Sequence, residues 1–276
     1  MKNNCSLPFY QAIIQKLPFK KSVAARTLSL LFGRRIKAVV NQATVRLDLC
    51  EMIQLQMFLG LYEPTQTLWF RTCLRPGDVF IDVGASFGYY TTLGASLVGP
   101  TGKVFAFEPS PAASQVIEEM IIDSKLCNVI LLKAAVGRTC GSVSLLLPTT
   151  RRLHSPSILY SDPHFLPVQV PMIALDHFIP LENIPKVRLI KIDVEGYEPD
   201  VIAGMECLIK QTRIENIICE FNSGWLKRNS TTPTLLHERF LDLGYRLHMQ
   251  TRLEKNLIGH HGELFDLQDL WFSLVS

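Results

Sequence analysis

Four acids stand where apolar runs end. Asp82 follows Val79-Phe80-Ile81, Glu108 follows Val104-Phe105-Ala106-Phe107, and Asp193 follows Leu189-Ile190-Lys191-Ile192 with Glu195 two residues on. Short, nearly unbroken apolar runs read as strands buried on both faces. In an open parallel sheet, ligands lie at the carboxyl ends of the strands, so these acids should reach one edge together. There they can hold a cation, accept hydrogen bonds from a sugar diol, or take a proton. Between the first two lies Gly84-Ala85-Ser86-Phe87-Gly88-Tyr89. Its glycines let the chain bend sharply and let another molecule lie directly on the backbone. A helix starting at Tyr89 would turn free N–H groups into the bend, which suits a ligand with a polar, partly anionic end.

Glu108, at the end of the second strand, is placed to bind ribose hydroxyls. The dinucleotide fingerprint is G-x-G-x-x-G. Here the pattern is D-x-G-x-x-x-G, with Ser86 where a middle glycine would sit. That spacing fits S-adenosylmethionine (SAM) better. SAM carries an amino-acid ammonium for Asp82, held directly or through water, and has no pyrophosphate to cradle. A nicotinamide-dependent oxidoreductase is the competing enzyme class. A third reading is a catalytically inactive scaffold of the same shape that binds at a membrane surface.

The elements that position these residues follow from periodicity. Residues 1–60 read as mainly helical, with Ser22 capping a helix through Phe32, a short β-like piece at Ala43 to Leu49, and an amphipathic stretch from Glu51 to Leu61. Pro64 to Leu74 reads as a helix that Glu63 would cap, unless Glu63 closes the ligand pocket instead. From Asp78 onward strands and helices alternate. Ser110-Pro111 reads as a capping serine with proline at the first helical position. The third strand ends at Ala134-Ala135-Val136-Gly137, small enough to border a flat ring such as adenine. Ser142 to Leu147 and Val168 to Leu175 read as strands flanking a long loop with Arg151, Arg152 and His154. Loops of that length are often functional, and these side chains suit an acceptor with an anionic group or a proton to lose. Glu198-Pro199 opens a further helix, Ile214 to Phe221 is the fifth strand, and two closing strands follow.

Composition narrows the classes. With 276 residues, 47% of them hydrophobic, the chain can bury one α/β domain with an extension. We divide it into a basic helical extension, residues 1–61, and a domain of residues 62–276. No Asp or Glu occurs before Asp48, whereas Lys2, Lys16, Lys20, Lys21, Arg26, Arg34, Arg35, Lys37 and Arg46 do. Such an arm suits a solvated helix face or peripheral contact with an anionic membrane. The seven cysteines form no C-x-x-C pair, which predicts reduced core thiols, no zinc site and a cytoplasmic setting. No metal and no nucleic-acid partner are expected.

Taken together, Phe80-Ile81-Asp82-Val83-Gly84-Ala85-Ser86-Phe87-Gly88-Tyr89-Tyr90-Thr91, Val104-Phe105-Ala106-Phe107-Glu108-Pro109, Leu175-Asp176 and Leu189-Ile190-Lys191-Ile192-Asp193-Val194-Glu195-Gly196-Tyr197-Glu198 resemble the FkbM family of SAM-dependent methyltransferases. Tyr62-Glu63-Pro64 and Glu220-Phe221-Asn222 resemble family positions too. The resemblance implies a Rossmann-like class I methyltransferase sheet, with seven strands, mostly parallel, and the last antiparallel. It also implies methyl transfer to the oxygen of a sugar, glycan or secondary metabolite. Family members usually carry Asn at the position of Ser86 and often His at that of Tyr197. In this reading Asp82 and Gly84 hold the methionine end, Ser86 and Gly88 finish the turn, Glu108 binds the ribose and Ala135 borders the adenine, with Ala85, Tyr89 and Pro109 as further cofactor contacts. Glu63 closes the pocket. Asp193 serves as base or acceptor orienter, with Glu195 in reserve.

Overall fold

The computed structural model describes residues 30, 32–149, 156–159, 164–248 and 267–275. A hairpin, β1 (Arg35–Val40) and β2 (Ala43–Asp48), precedes α1 (Met52–Leu59) and α2 (Pro64–Cys73). Alternation follows: β3 (Val79–Val83), α3 (Tyr89–Val98), β4 (Lys103–Phe107), α4 (Pro111–Ser124) and β5 (Val129–Leu132). Next come β6 (Ala135–Val136), β7 (Gly141–Pro148), β8 (Phe165–Ile173) and α5 (Leu175–Leu181). The last part holds β9 (Val187–Ile192), α6 (Glu198–Ala203), α7 (Glu206–Lys210), β10 (Ile214–Asn222), α8 (Ser223–Arg228), α9 (Pro233–Asp242), β11 (Tyr245–Leu247) and β12 (Leu267–Leu274).

The central sheet has seven strands in the order β11-β12-β10-β9-β3-β4-β5. Neighbours from β10 to β5 pair in parallel, whereas β12 runs antiparallel between β10 and β11. This is the expected sheet. The chain moves outward from β3 through β4 to β5, then returns to β9 on the other side of β3. The topological switch point therefore lies between β3 and β9, where such sheets bind ligands. Helices α2 and α3 cover one face through Trp69, Phe70, Tyr90 and Leu93, packed on Phe80, Val104, Leu189 and Ile218. The other face packs Ile81, Phe105, Ile190 and Ile217 against Phe178, Val201, Ile202 and Phe240.

The first sixty residues are not mainly helical where they are described. β1 and β2 form a hairpin that closes at Val40↔Ala43. Its two-residue turn, Asn41-Gln42, has both φ angles positive, 50° and 67°, as a type I′ turn requires. Inward Val40, Ala43, Val45 and Leu47 pack on Ile117 and Met120 of α4, so burial rather than propensity selects strand here. Arg34 pairs with Asp48 at 3.0 Å, Lys37 with Asp123 at 2.9 Å, and Arg46 with Glu119 at 2.6 Å. The proposed helix ending at Phe32 lies almost wholly outside the described residues.

Three further expectations are corrected. The strand placed at Val168 to Leu175 begins at Phe165 and stops at Ile173, because Leu175 already opens α5. Ser110 precedes α4 but makes no side-chain cap bond; its N–H donates to Glu108 instead. Of the described cysteines only Cys73 and Cys219 are buried, and Cys50, Cys127, Cys140 and Cys207 are exposed. No helix among the described residues is long and apolar enough to cross a membrane.

Two glycines of the bend serve the chain itself. A Cβ on Gly84, whose φ is +83°, would lie 1.9 Å from the Asp193 carbonyl oxygen. One on Gly88 would meet Met120 Cε at 2.8 Å. Gly84→Ala should therefore destabilise the fold by about 2–4 kcal/mol. Urea denaturation measures this, and an unchanged midpoint would rule out the close approach of the two loops.

Candidate active site

Strand register decides which side chains share a face. Phe80 pairs with Leu189, and one step closer to the carboxyl edge Asp82 pairs with Lys191 on β9 and with Ala106 on β4. Lys191 pairs in turn with Ile218 on β10, which faces Trp271 on β12. One step further out, Glu220 pairs with Asp269. Side chains alternate between faces along a strand. Asp82 and Lys191 therefore lie one step above Phe80 and Leu189, level with Ile218 and Trp271, and Glu220 and Asp269 one step further out; together they form a stepped polar layer under α2 and α3.

The layer is dry at its base. Asp82 is 1% exposed and Lys191 2%. Thr91 Oγ1 donates to Asp82 Oδ2 at 2.6 Å, while Asp82 Oδ1 is buried with no hydrogen-bond partner. Burial pushes the Asp82 carboxyl up to about 6, although Lys191 and Thr91 pull it down. Lys191 Nζ donates to Asp193 Oδ2 at 2.7 Å and lies 4.7 Å from the centre of the Tyr90 ring. Burial works against the Lys191 charge, but Asp193, Asp269 and Asp82 more than offset it and hold its pKa above the ordinary value. Asp193 itself is 38% exposed, so it joins the interior lysine to the open rim.

Two buried carboxylates organise the loops. Glu108 Oε2 accepts from the Ser86 N–H at 2.8 Å and Oε1 from the Ser110 N–H at 2.8 Å. Pro109 between them has no N–H to give. Burial pushes Glu108 up to about 7 against those two bonds, with Asp82 and Asp193 adding to the rise. Glu198 Oε1 accepts from Val194 and Gly196, both at 3.1 Å, and burial lifts it to about 7. Glu198, at the start of α6, thus ties down the turn that follows Asp193. Glu195 adopts a left-handed backbone, φ 54°, in the turn.

Asp82, Glu108 and Asp193 are brought together as expected: Asp82 and Asp193 both act on the Glu108 carboxyl. Glu63 joins them from before α2. It makes no side-chain cap bond to that helix and takes the Tyr90 hydroxyl instead. Tyr89 points its hydroxyl at Thr67 Oγ1, 2.8 Å away, and packs its ring edge-on to Tyr62 at 4.8 Å. The free N–H groups expected in the bend are partly spoken for. Gly84 and Ala85 both donate to the Phe107 carbonyl at 3.0 Å, and Ser86 donates to Glu108. Ala135 lies in β6, and its side chain packs with Leu145 and Val170 in the small sheet β6-β8-β7, not on an open surface. Arg151, Arg152 and His154 fall outside the described residues.

Sequence reasoning gave no role to Lys191, Glu198, Glu220 or Asp269. A signal existed for one of them: Lys191 interrupts an otherwise apolar run two residues before an acid. Among the described residues, no His, Cys, Asp or Glu side chains group as ligands for a metal ion. A pocket at the opposite edge of the sheet, lined by Asp78, Lys186, Arg188 and Glu215, is closed upon itself by charge. Arg188 pairs there with Glu215 and Asp78, and Lys186 with Glu215.

The model of the methyltransferase FkbM domain matches residues 82–247, more than half of the chain. The chain belongs to the FkbM methyltransferase family. The hexuronic acid methyltransferase AglP of Haloferax volcanii is 28% identical over 152 residues, which cover 53% of this chain and 57% of that protein. Methyltransferase 1 of Beauveria bassiana is 27% identical over 151 residues, covering 48% of this chain and 60% of that one. The matched part thus spans under two thirds of either relative. Among solved structures, a methyltransferase FkbM from Methylobacillus flagellatus aligns with 91% of this chain and 58% of its own, at 14% identity and a TM-score of 0.46. A SAM dependent methyltransferase from Aquifex aeolicus aligns with 79% of this chain and 92% of its own, at 15% identity and a TM-score of 0.45. The departure from the family at Ser86 has a backbone consequence. Ser86 sits at φ 51°, a left-handed conformation that asparagine adopts more readily than serine.

Glu220 carries the largest charge burden of the layer. Its Oε2 is buried without a partner, and burial together with Asp193, Glu195, Glu198 and Asp269 pushes its carboxyl up to about 10. The folded chain then keeps a proton that the unfolded chain releases near the ordinary value of 4.5. Stability from this group is complete at acid pH and drains away as pH rises towards the folded value, by up to about 1.4 kcal/mol per pH unit. The melting temperature should therefore fall between about pH 6 and about pH 9, and fall less in Glu220→Gln. Equal falls in the two proteins would show that Glu220 does not hold that proton.

Proposed function

We propose that this chain is a SAM-dependent methyltransferase that acts on a hydroxyl oxygen, with a sugar or glycan as acceptor. The observation that carries the reading is Asp82, fully buried at the switch point with one oxygen unpartnered. An acceptor left bare in a dry place is costly unless a ligand satisfies it. The donor's ammonium does so. Family membership supports methyl transfer, and the hexuronic acid methyltransferase among the relatives supports a sugar acceptor.

When bound, SAM supplies a methyl group on a positively charged sulfur. The protein's share is mostly placement. Asp82 takes the ammonium on Oδ1. Glu108 is fixed through both oxygens by Ser86 and Ser110, and each oxygen keeps a lone pair for a ribose hydroxyl. Asp193, anchored from below by Lys191, reaches the rim, where it would accept the hydrogen of an acceptor hydroxyl. Tyr62 and Tyr90 line the α2 side, and burial raises both phenols so that they remain donors.

Two measurements test this. Calorimetry should show binding of S-adenosylhomocysteine, tighter than of NAD, and Glu108→Ala should weaken it about tenfold or more. Affinity unchanged by that substitution removes Glu108 from the ribose, and tighter binding of NAD overturns the donor. Labelled methyl transfer into glycosides of neutral hexoses and of hexuronic acids should identify an acceptor. With it, Asp193→Asn should lower kcat about a hundredfold; full turnover in that variant would exclude Asp193 as the proton acceptor.

A further inference from the structure

The mechanism above uses Asp82 and Asp193 but leaves Lys191 as scaffolding. We propose that Lys191 is the positioning residue of the donor site: its ammonium keeps the neighbouring Asp82 carboxyl charged inside the sheet, so that the unpartnered oxygen can bind the donor's ammonium. The inference rests on the methyltransferase reading and adds a residue to it.

The geometry is specific. Asp82 and Lys191 are register partners on adjacent parallel strands, and their side chains share the face beneath α3. Strands in a sheet lie about 4.8 Å apart, so the two side chains start as immediate neighbours. The groups facing Asp82 are few. Lys191 comes from β9, Thr91 from α3, Asp193 from the end of β9 and Glu108 from the end of β4. Ala106 on β4, its other register partner, carries no charge. Asp269 from β12 faces Lys191. Lys191 is thus the cation among four carboxylates, and Thr91 the neutral donor.

The lysine is held in place from two sides, and one of its holders is itself pinned. Asp193 Oδ2 takes one of its hydrogens at 2.7 Å, the Tyr90 ring lies 4.7 Å beneath it, and Tyr90 is itself fixed through its hydroxyl to Glu63. A salt bridge to Asp193 alone would need neither burial of the lysine nor a carboxylate beside it in the next strand. A buried cation removed from such a set leaves carboxylates that protonate rather than remain charged. A protonated Asp82 has no charge to offer an ammonium.

The test is calorimetric titration with S-adenosylhomocysteine, which carries the same ammonium and needs no acceptor. The wild type at the same pH is the reference, because Glu108, lifted to about 7, titrates in both proteins. Lys191→Met should lose at least tenfold at about pH 7 and regain most of it at about pH 8.5, where Asp82 ionises unaided. Lys191→Arg, which keeps the charge, should stay within about threefold of wild type. Should Lys191→Met fail to fold, Lys191→Gln carries the same expectation. Wild-type affinity in the neutral variant at about pH 7, or a loss equal at both pH values, would overturn the proposal; a purely structural lysine gives the second result. Absence of binding by the wild type itself would instead defeat the donor assignment.

Discussion

A carboxyl placed inside a sheet loses the water that stabilises its charge, and the strand ladder offers nothing in return because its N–H groups are already paired. This chain puts acids in that position repeatedly along one edge. It meets the difficulty in three ways. Asp82 has a lysine and a threonine hydroxyl beside it. Glu108 and Glu198 each take two backbone N–H groups. Among the described residues Glu220 has neither, and burial with its acidic neighbours pushes its carboxyl up. The three solutions sort the acids by use. Those bonded to backbone hold the loops, the one beside a cation leaves Oδ1 without a hydrogen-bond partner, and the last is pushed toward its neutral form.

The two backbone-bonded carboxylates also explain why the site is compact. Glu108 pins the bend after β3, and Glu198 pins the turn after β9. These loops flank the switch point, and Gly84 lets them touch, because any side chain there would strike the Asp193 carbonyl. The Asp193 N–H donates back to the Val83 carbonyl at 3.1 Å. The loops after β3 and β9 are therefore one hydrogen-bonded unit. A disturbance at the glycine bend moves Asp193 as well, so binding and turnover should change together when this bend is altered.

Much of this was legible from residues alone, for a physical reason. Parallel strands buried on both faces leave continuous apolar runs, and an acid closing such a run stands out. That is why β3, β4 and β9 and the acids Asp82, Glu108 and Asp193 were found. What stayed hidden depends on register. Lys191 gains meaning only once it is seen beside Asp82, and Asp269 only once β12 is inserted next to β10. Neither pairing is local in sequence. Of the hairpin, β2 was read at Ala43 to Leu49, but β1 was missed because the turn is Asn41-Gln42, without the glycine that usually marks a type I′ turn, and the outward face is basic. Glu63 was read as a helix cap from its place before Pro64 or as a pocket residue from resemblance, and only its bond to Tyr90 decides against capping.

The polar layer is completed by residues that lie outside the stretch shared with the family. Residues 82–247 supply Asp82, Lys191, Asp193 and Glu220, whereas Tyr62 and Glu63 precede that stretch and Asp269 follows it. The inner members face the donor end of the site. The outer ones cluster on the α2 side, where Glu63 adds to the rise of the Asp269 carboxyl that burial begins. A fold carries many chemistries by varying what surrounds a constant centre. In this chain the centre is the Asp82–Lys191–Asp193 set, and its surroundings on the open side are tyrosines and acids. Glu63 there takes the Tyr90 hydroxyl, and burial raises the carboxyls of Glu220 and Asp269.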